Sequence, residues 1–236
     1  MTDLHDRFTA LLQSQPPPQS PSRRTPQFST HNNNADNIER YLQEDGHRTW
    51  GFAIYRCTYE SDSDWQEFIR RLRYRIEQTL KFYNGMDMMD SLSFTVIEDK
   101  SILEGARTST VREHFKQWAA TAPQQEQGTG PALSQRYRYC VMMDNSALDS
   151  VVHNAPAPAE SDMTSKGFVG LVWKDWKPAS PDAREEVEEP IEGCTQHDVG
   201  WMRVAYQDAM VGMYYYLRDL NDWYREYRRP PQVARA

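Results

Sequence analysis

No stretch of this sequence approaches the ~18–20 consecutive apolar residues that a membrane-spanning helix needs. Cysteine is scarce: Cys57, Cys140 and Cys194 stand far apart, so a reducing compartment is expected rather than a disulfide framework. A basic excess is missing as well. Lys and Arg number 27 against 34 Asp and Glu, a net charge of -7, whereas general binders of nucleic acid or of membrane surfaces carry cations that displace counterions. There is no glycine-rich phosphate loop, because Gly167 and Gly170 fall inside an apolar run. A Gly-x-Ser-x-Gly elbow is absent, and Cys194-x-x-His197 offers two of the four ligands that zinc requires. Neither a metal nor a cofactor is therefore expected. The start, Met1-Thr2-Asp3-Leu4, is acidic and no apolar run follows it, so the expectation is a cytoplasmic or nuclear protein that is not secreted.

What is present is aromatic. Phe, Trp and Tyr make up 12% of the chain and hydrophobic residues 39%, a combination that fits a compact core diluted by polar segments. Residues 1–35 form a Pro-, Ser-, Gln- and Asn-rich leader, expected to be disordered. Within it Leu4, Phe8, Leu11 and Leu12 make one apolar stripe at helical spacing, a candidate docking motif. Ser20-Pro21-Ser22-Arg23-Arg24-Thr25-Pro26 places Ser-Pro and Thr-Pro beside arginines that could pair with a phosphate. Residues 36–231 read as a single domain and 232–236 as a tail.

Trp50 to Tyr59 is the stretch around which the domain is organised. Its alternation sets Phe52, Ile54 and Arg56 against Ala53, Tyr55 and Cys57, and both faces are largely apolar, which predicts a central strand covered on both sides. Asp64 and Glu67 open a helix with Trp65, Phe68, Leu72, Ile76 and Leu80 on one face, ending near Asn84-Gly85. Leu92 to Ile97 is the next strand, so strand, helix and strand predict a parallel crossover. A short helix presents Val111, Phe115 and Trp118, and residues 122–134 read as a loop. Further strands are predicted at 136–143 and 167–173. From Lys174 to Asp198 eight acids stand against three bases, the composition of an acidic mobile loop. Residues 200–206 fit a strand or the start of a helix. A helix over about 208–227 is expected to bury Met210, Met213, Tyr214, Leu217, Leu220 and Tyr224.

This order predicts an α+β fold, ferredoxin-like or a related sandwich, with a mixed or antiparallel sheet of about four or five strands and helices packed on it. The segment Trp50-Gly51-Phe52-Ala53-Ile54-Tyr55-Arg56-Cys57-Thr58-Tyr59, together with Trp223-Tyr224-Arg225-Glu226-Tyr227-Arg228-Arg229-Pro230-Pro231, resembles a family of intracellular proteins of filamentous (ascomycete) fungi. The resemblance implies one domain from Trp50 to Pro231 and carries over no activity and no catalytic residue.

Several strands end in acid: Glu60, then Glu98-Asp99, then Asp144. Parallel strands would gather these carboxylates at the sheet edge that ligands favour in α/β proteins. Asp99 and Asp144 are the acid/base candidates. Arg56 is the candidate anion holder, or the partner of a strand-end acid, and Tyr55 and Trp173 are the candidate aromatic ligand contacts. Two readings follow. One is a non-catalytic domain that binds a small ligand or a protein partner, through the leader or an edge strand. The alternative is a cofactor-independent enzyme acting on a small organic substrate, which requires Arg56 and one of the two aspartates in a shared pocket. Arg70, Arg71, Arg73 and Arg75 on the first long helix read as a salt-bridged surface rather than a nucleic-acid face.

Overall fold

The computed structural model describes residues 22–27, 31–160, 162–178 and 187–236. The stripe at Leu4 to Leu12 and the Ser20-Pro21 dipeptide lie outside these residues. Helix α1 (Asn34–Asp45) starts from a reciprocal cap in which Asn33 accepts from the amide of Asp36 and Asp36 accepts from that of Asn33, and Gly46 in the left-handed region ends it. Arg24 is buried against this helix, paired with Asp36 at 3.0 Å, Glu39 at 2.8 Å and Asp87. Ser22 donates its hydroxyl to Asp36. The guanidinium suggested as a phosphate partner is thus filled by the protein's own carboxylates.

Strand β1 (Ala53–Arg56) is buried throughout. Phe52 and Ile54 join the larger core cluster, and Ala53, Tyr55 and Cys57 the smaller one on the opposite face. Helix α2 (Asp62–Phe82), capped by Ser61, lays Trp65, Phe68, Leu72, Ile76 and Leu80 on the first face. Truncating one such buried aromatic, Phe68→Ala, costs ~3–5 kcal/mol. Strand β2 (Val96–Ile97) is parallel to β1 through Ile54–Val96 and Tyr55–Ile97. It is shorter than its apolar run, because Leu92 reaches the sheet only through an isolated bridge to Trp50.

After the single-turn helix α3 (Lys100–Leu103), helix α4 (Thr108–Gln127) covers the second face with Val111, Phe115, Ala119 and Ala122. It continues past residue 122, where a loop was expected, with Pro123 inside it. Its last turn is held from outside. Gln127 accepts from the amide of Arg48 at 2.7 Å and donates to Tyr137 Oη at 2.8 Å, while Glu126 engages Arg136. Those contacts offset the one helical hydrogen bond that a proline forfeits.

Strand β3 (Tyr139–Met143) pairs in parallel with the other edge of β1, and helix α5 (Asn145–Asp149) then runs into a π turn at Ser150–Asn154. Strands β4 (Phe168–Trp173) and β5 (Trp201–Ala205) follow in antiparallel order. Residues 201–205 are therefore strand, not helix. Beyond helices α6 (Gly212–Tyr216) and α7 (Asp222–Glu226), the last strand, β6 (Val233–Ala234), joins β5 in parallel from what the sequence presented as a tail.

The result is an α+β fold with one mixed sheet of six strands, in the order β2-β1-β3-β4-β5-β6. In a ferredoxin-like sheet a third strand splits each βαβ unit; here β1 and β2 hydrogen-bond directly. The single long C-terminal helix of the sequence reading is broken into α6 and α7, and Leu220 and Tyr224 are exposed. A contact from outside the helix explains the break. Arg138 takes the carbonyls of Leu217 and Arg218 that residues four positions on would otherwise use, and Asp222 captures the amide of Asp219 at 2.6 Å. No helix among the described residues is long and apolar enough to cross a membrane.

Candidate functional site

The order of the sheet reverses between β1 and β3. From β1 the chain turns through α2 toward β2 on one side, and from β3 it turns through α5 toward β4 on the other. Connections that leave adjacent parallel strands in opposite directions open a crevice at their carboxyl ends. A cleft of about 380 Å³ occupies that place, lined by residues 57–60, 104–107, 142, 144–146 and 192.

Local chemistry shapes each wall. Cys57 extends the ladder by donating its amide to the carbonyl of Met143 at 2.9 Å, and its own carbonyl accepts from Gly105 at 3.0 Å. Gly105 has φ +64°, the left-handed conformation that lets the chain turn sharply between α3 and α4. The Thr58 hydroxyl donates to Asn145 Oδ1 and stitches the two strand exits together. Asp144 caps α5, its Oδ1 accepting from the amide of Ala147 at 2.8 Å. Helix α4 has Arg107 at its cap position, with no side-chain cap of its own. Glu192 replaces one from the acidic loop, accepting from the amide of Thr108 at 3.2 Å and from its hydroxyl.

The cleft continues onto the sheet face that α4 leaves uncovered. A small cavity of about 40 Å³ lies over Met142, Gly170, Phe168, Trp201 and Arg203, sharing Asp144 and Glu192 with the larger one. Gly170 lines this hollow, and a Cβ there would stand 3.2 Å from the carbonyl oxygen of Met142. Arg203 lies over the Phe168 ring at 4.2 Å, and its Nε is buried without a hydrogen-bond partner. Burial lowers the pKa of Arg203, and the charge of Asp144 opposes that shift. The whole site therefore sets four carboxylates, Glu60, Glu104, Asp144 and Glu192, against Arg107 and Arg203. Among the described residues no group of His, Cys, Asp and Glu is arranged to hold a metal ion. The Cys57 thiol in the cleft wall is pushed by burial up to about 12, and so stays protonated at neutral pH.

Of the residues singled out in the sequence, Asp144 and Glu60 line this cleft. Asp99 does not; it caps α3, accepting from the amide of Ser101 at 3.0 Å and from its hydroxyl at 2.6 Å. Those hydrogen bonds hold its carboxyl below the usual range. Arg56 does not line this cleft. Its Nε donates to Thr58 O at 2.9 Å, its other nitrogens pair with Asp62 and Glu98, and the rings of Tyr59 and Trp65 sandwich it at 4.6 and 5.0 Å. Tyr55 is sealed under α4 with its hydroxyl 3.2 Å from His114 Nδ1. Trp173 stands at the opposite end of the sheet, beside Trp223 and Tyr224. In the Cys-x-x-His segment, His197 pairs with Glu188 at 2.6 Å. The helix arginines are engaged too: Arg70 and Arg71 with Glu67, Arg73 over Phe94 and Arg75 over Tyr206.

Sequence reasoning missed Glu192, Thr108 and Arg203. Glycine inside an apolar strand was the available signal for the hollow, since such positions mark a close approach or a missing side chain. Comparison with known protein families, with curated proteins and with solved structures finds no match for this chain.

Proposed function

We infer that this chain is a small-molecule-binding α+β domain whose ligand sits at the carboxyl ends of β1 and β3. The observation that carries this reading is the acid-rich cleft at the reversal of the strand order. A ligand there meets Asp144 and Glu60, which accept hydrogen bonds, and the small cavity adjoining it at Asp144 adds the Arg203 guanidinium, whose Nε has no partner within the protein. That inventory favours a small polar molecule rich in N–H or O–H donors, an amine or a polyol, with an acceptor group for Arg203.

Binding is better supported than catalysis. The enzyme reading needed Arg56 in a pocket with Asp99 or Asp144, and Arg56 is saturated by Asp62 and Glu98. The one thiol in the cleft wall is held protonated. Kinship with the intracellular fungal proteins, and a leader that docks onto a partner, belong to the same reading.

The test is thermal unfolding against a panel of amines, amino acids and polyols. A true ligand at about 100 times its Kd stabilises the fold by ~2.7 kcal/mol. Asp144→Asn keeps the helix cap while removing the charge, so this variant should unfold normally yet respond at least several-fold more weakly. An equal response in Asp144→Asn and Glu60→Gln would place the ligand elsewhere and overturn the reading.

A further inference from the structure

A second site lies at the far end of the sheet, independent of the cleft. Trp173 ends β4 and belongs to a ladder of rings that climbs from the core to the surface. Tyr139 stacks on Trp223 at 5.7 Å, Trp223 lies against Trp173 at 5.4 Å, and Tyr224 stands at 87° to Trp173 at 5.9 Å. Trp223 is fully buried and fixed by its Nε1, which donates to Asp198 Oδ2 at 2.9 Å. Tyr224 is 64% exposed. Two perpendicular rings, one anchored and one free, make the corner of a box.

Trp176 supplies a third wall. Its ring lies on Gly200, where a Cβ would come within 2.4 Å of it, and Gly200 has φ +74°. The Arg112 guanidinium sits 4.8 Å from the centre of the same ring while donating to the carbonyls of Trp173 and Gly200. The protein thus already seats one cation on an aromatic face here. The open hollow between these walls measures about 360 Å³, and Asp175, Asp198 and Lys177 line it, with Asp175 also 3.6 Å from the Lys174 ammonium. Burial raises the pKa of Asp198, against the hydrogen bonds from Gly200 and Trp223 and the charges of His197 and Arg112.

We propose that the corner formed by Trp173, Trp176 and Tyr224, with Asp175 and Asp198 at its walls, binds a quaternary ammonium group. Such a cation has no N–H to donate. It is held by the negative faces of rings and by nearby carboxylates rather than by hydrogen bonds. This requirement separates it from the donor-rich ligand of the cleft.

The experiment is calorimetric titration of the full chain with choline and with its uncharged isostere, 3,3-dimethylbutan-1-ol. Choline should bind about tenfold more tightly, the difference that one to two cation–π contacts provide. Tyr224→Ala, at an exposed position, should weaken choline by about fivefold, Tyr224→Phe should preserve binding, and Asp175→Asn should weaken it about twofold to fivefold. Trp176→Ala is a second ring deletion, away from the Trp223 stack. Equal affinity for choline and the isostere overturns the proposal. So does choline binding that survives both ring deletions, or no heat at millimolar choline.

Discussion

Arg136 and Glu126 form a two-pronged ion pair, Nε to Oε2 at 2.8 Å and Nη2 to Oε1 at 2.6 Å, in which the arginine side chain is wholly buried. The same guanidinium donates to Gly51 O at 2.7 Å and Thr95 Oγ1 at 2.7 Å, and lies over the Trp118 ring. One side chain therefore ties the end of α4 to the segments leading into β1 and β2. Removing it strands a partly buried carboxylate, the Gly51 carbonyl and the Thr95 hydroxyl. Arg136→Met should lower stability by ~3 kcal/mol or more in chemical denaturation, whereas a loss below ~1 kcal/mol would show that solvent replaces the pair.

The pair has a pH signature. Burial alone would raise the carboxyl pKa of Glu126, but the Arg136 hydrogen bonds and charge outweigh it and the net shift is downward. A carboxylate with a depressed folded pKa contributes stability above its unfolded value of ~4.3 and loses it as pH falls through the folded value. Wild type should therefore exceed Glu126→Gln in stability by a constant margin from neutral pH to about pH 5. Below that the margin should shrink and vanish. A margin independent of pH down to strong acid would contradict the ion pair.

Thiol chemistry sorts the three cysteines. Burial pushes Cys57 up to about 12 and Cys140 well above its ordinary value, and both are buried, while Cys194 is half-buried on the loop that carries Glu192. A thiol-disulfide reagent at pH 8 should label Cys194 alone in the native protein and all three after denaturation. Rapid native labelling of Cys57 would mean that the cleft wall opens.

Glu192 supplies the cap that Arg107 cannot. Glu192→Ala should cost ~0.5–2 kcal/mol by leaving the first amide of α4 without a partner and the helix dipole without its anion. Glu192→Gln should recover part of that loss, because its amide oxygen still accepts a hydrogen bond. Equal stability of all three proteins in denaturant titrations would show that the contact contributes nothing.

The elements that the sequence disclosed are those governed by local periodicity. The α2 stripe from Trp65 to Leu80, the two-faced strand at Ile54 and the parallel crossover between them need no distant partner to be legible. What escaped depends on residues far away in the chain. The continuation of α4 past Pro123 rests on Arg136 and Arg48, and the break between α6 and α7 rests on Arg138. The site divides in the same way. Asp144 was visible as an acid closing a strand, while Glu192 reaches Thr108 across 84 residues from a loop with no pattern to betray it. For Arg56 alternation shows only which face the side chain takes; of its two readings the structure shows the ion pair with a strand-end acid, Glu98, joined by Asp62.

The most direct test of the cleft is amide shift mapping by NMR with the best-stabilising amine or polyol. The expected result is a cluster of perturbed amides at Thr58, Gly105 and Asn145–Ser146, lost in Asp144→Asn. Perturbations gathered instead around Trp173 and Tyr224, or none at saturating ligand, would contradict a ligand site at the carboxyl ends of β1 and β3.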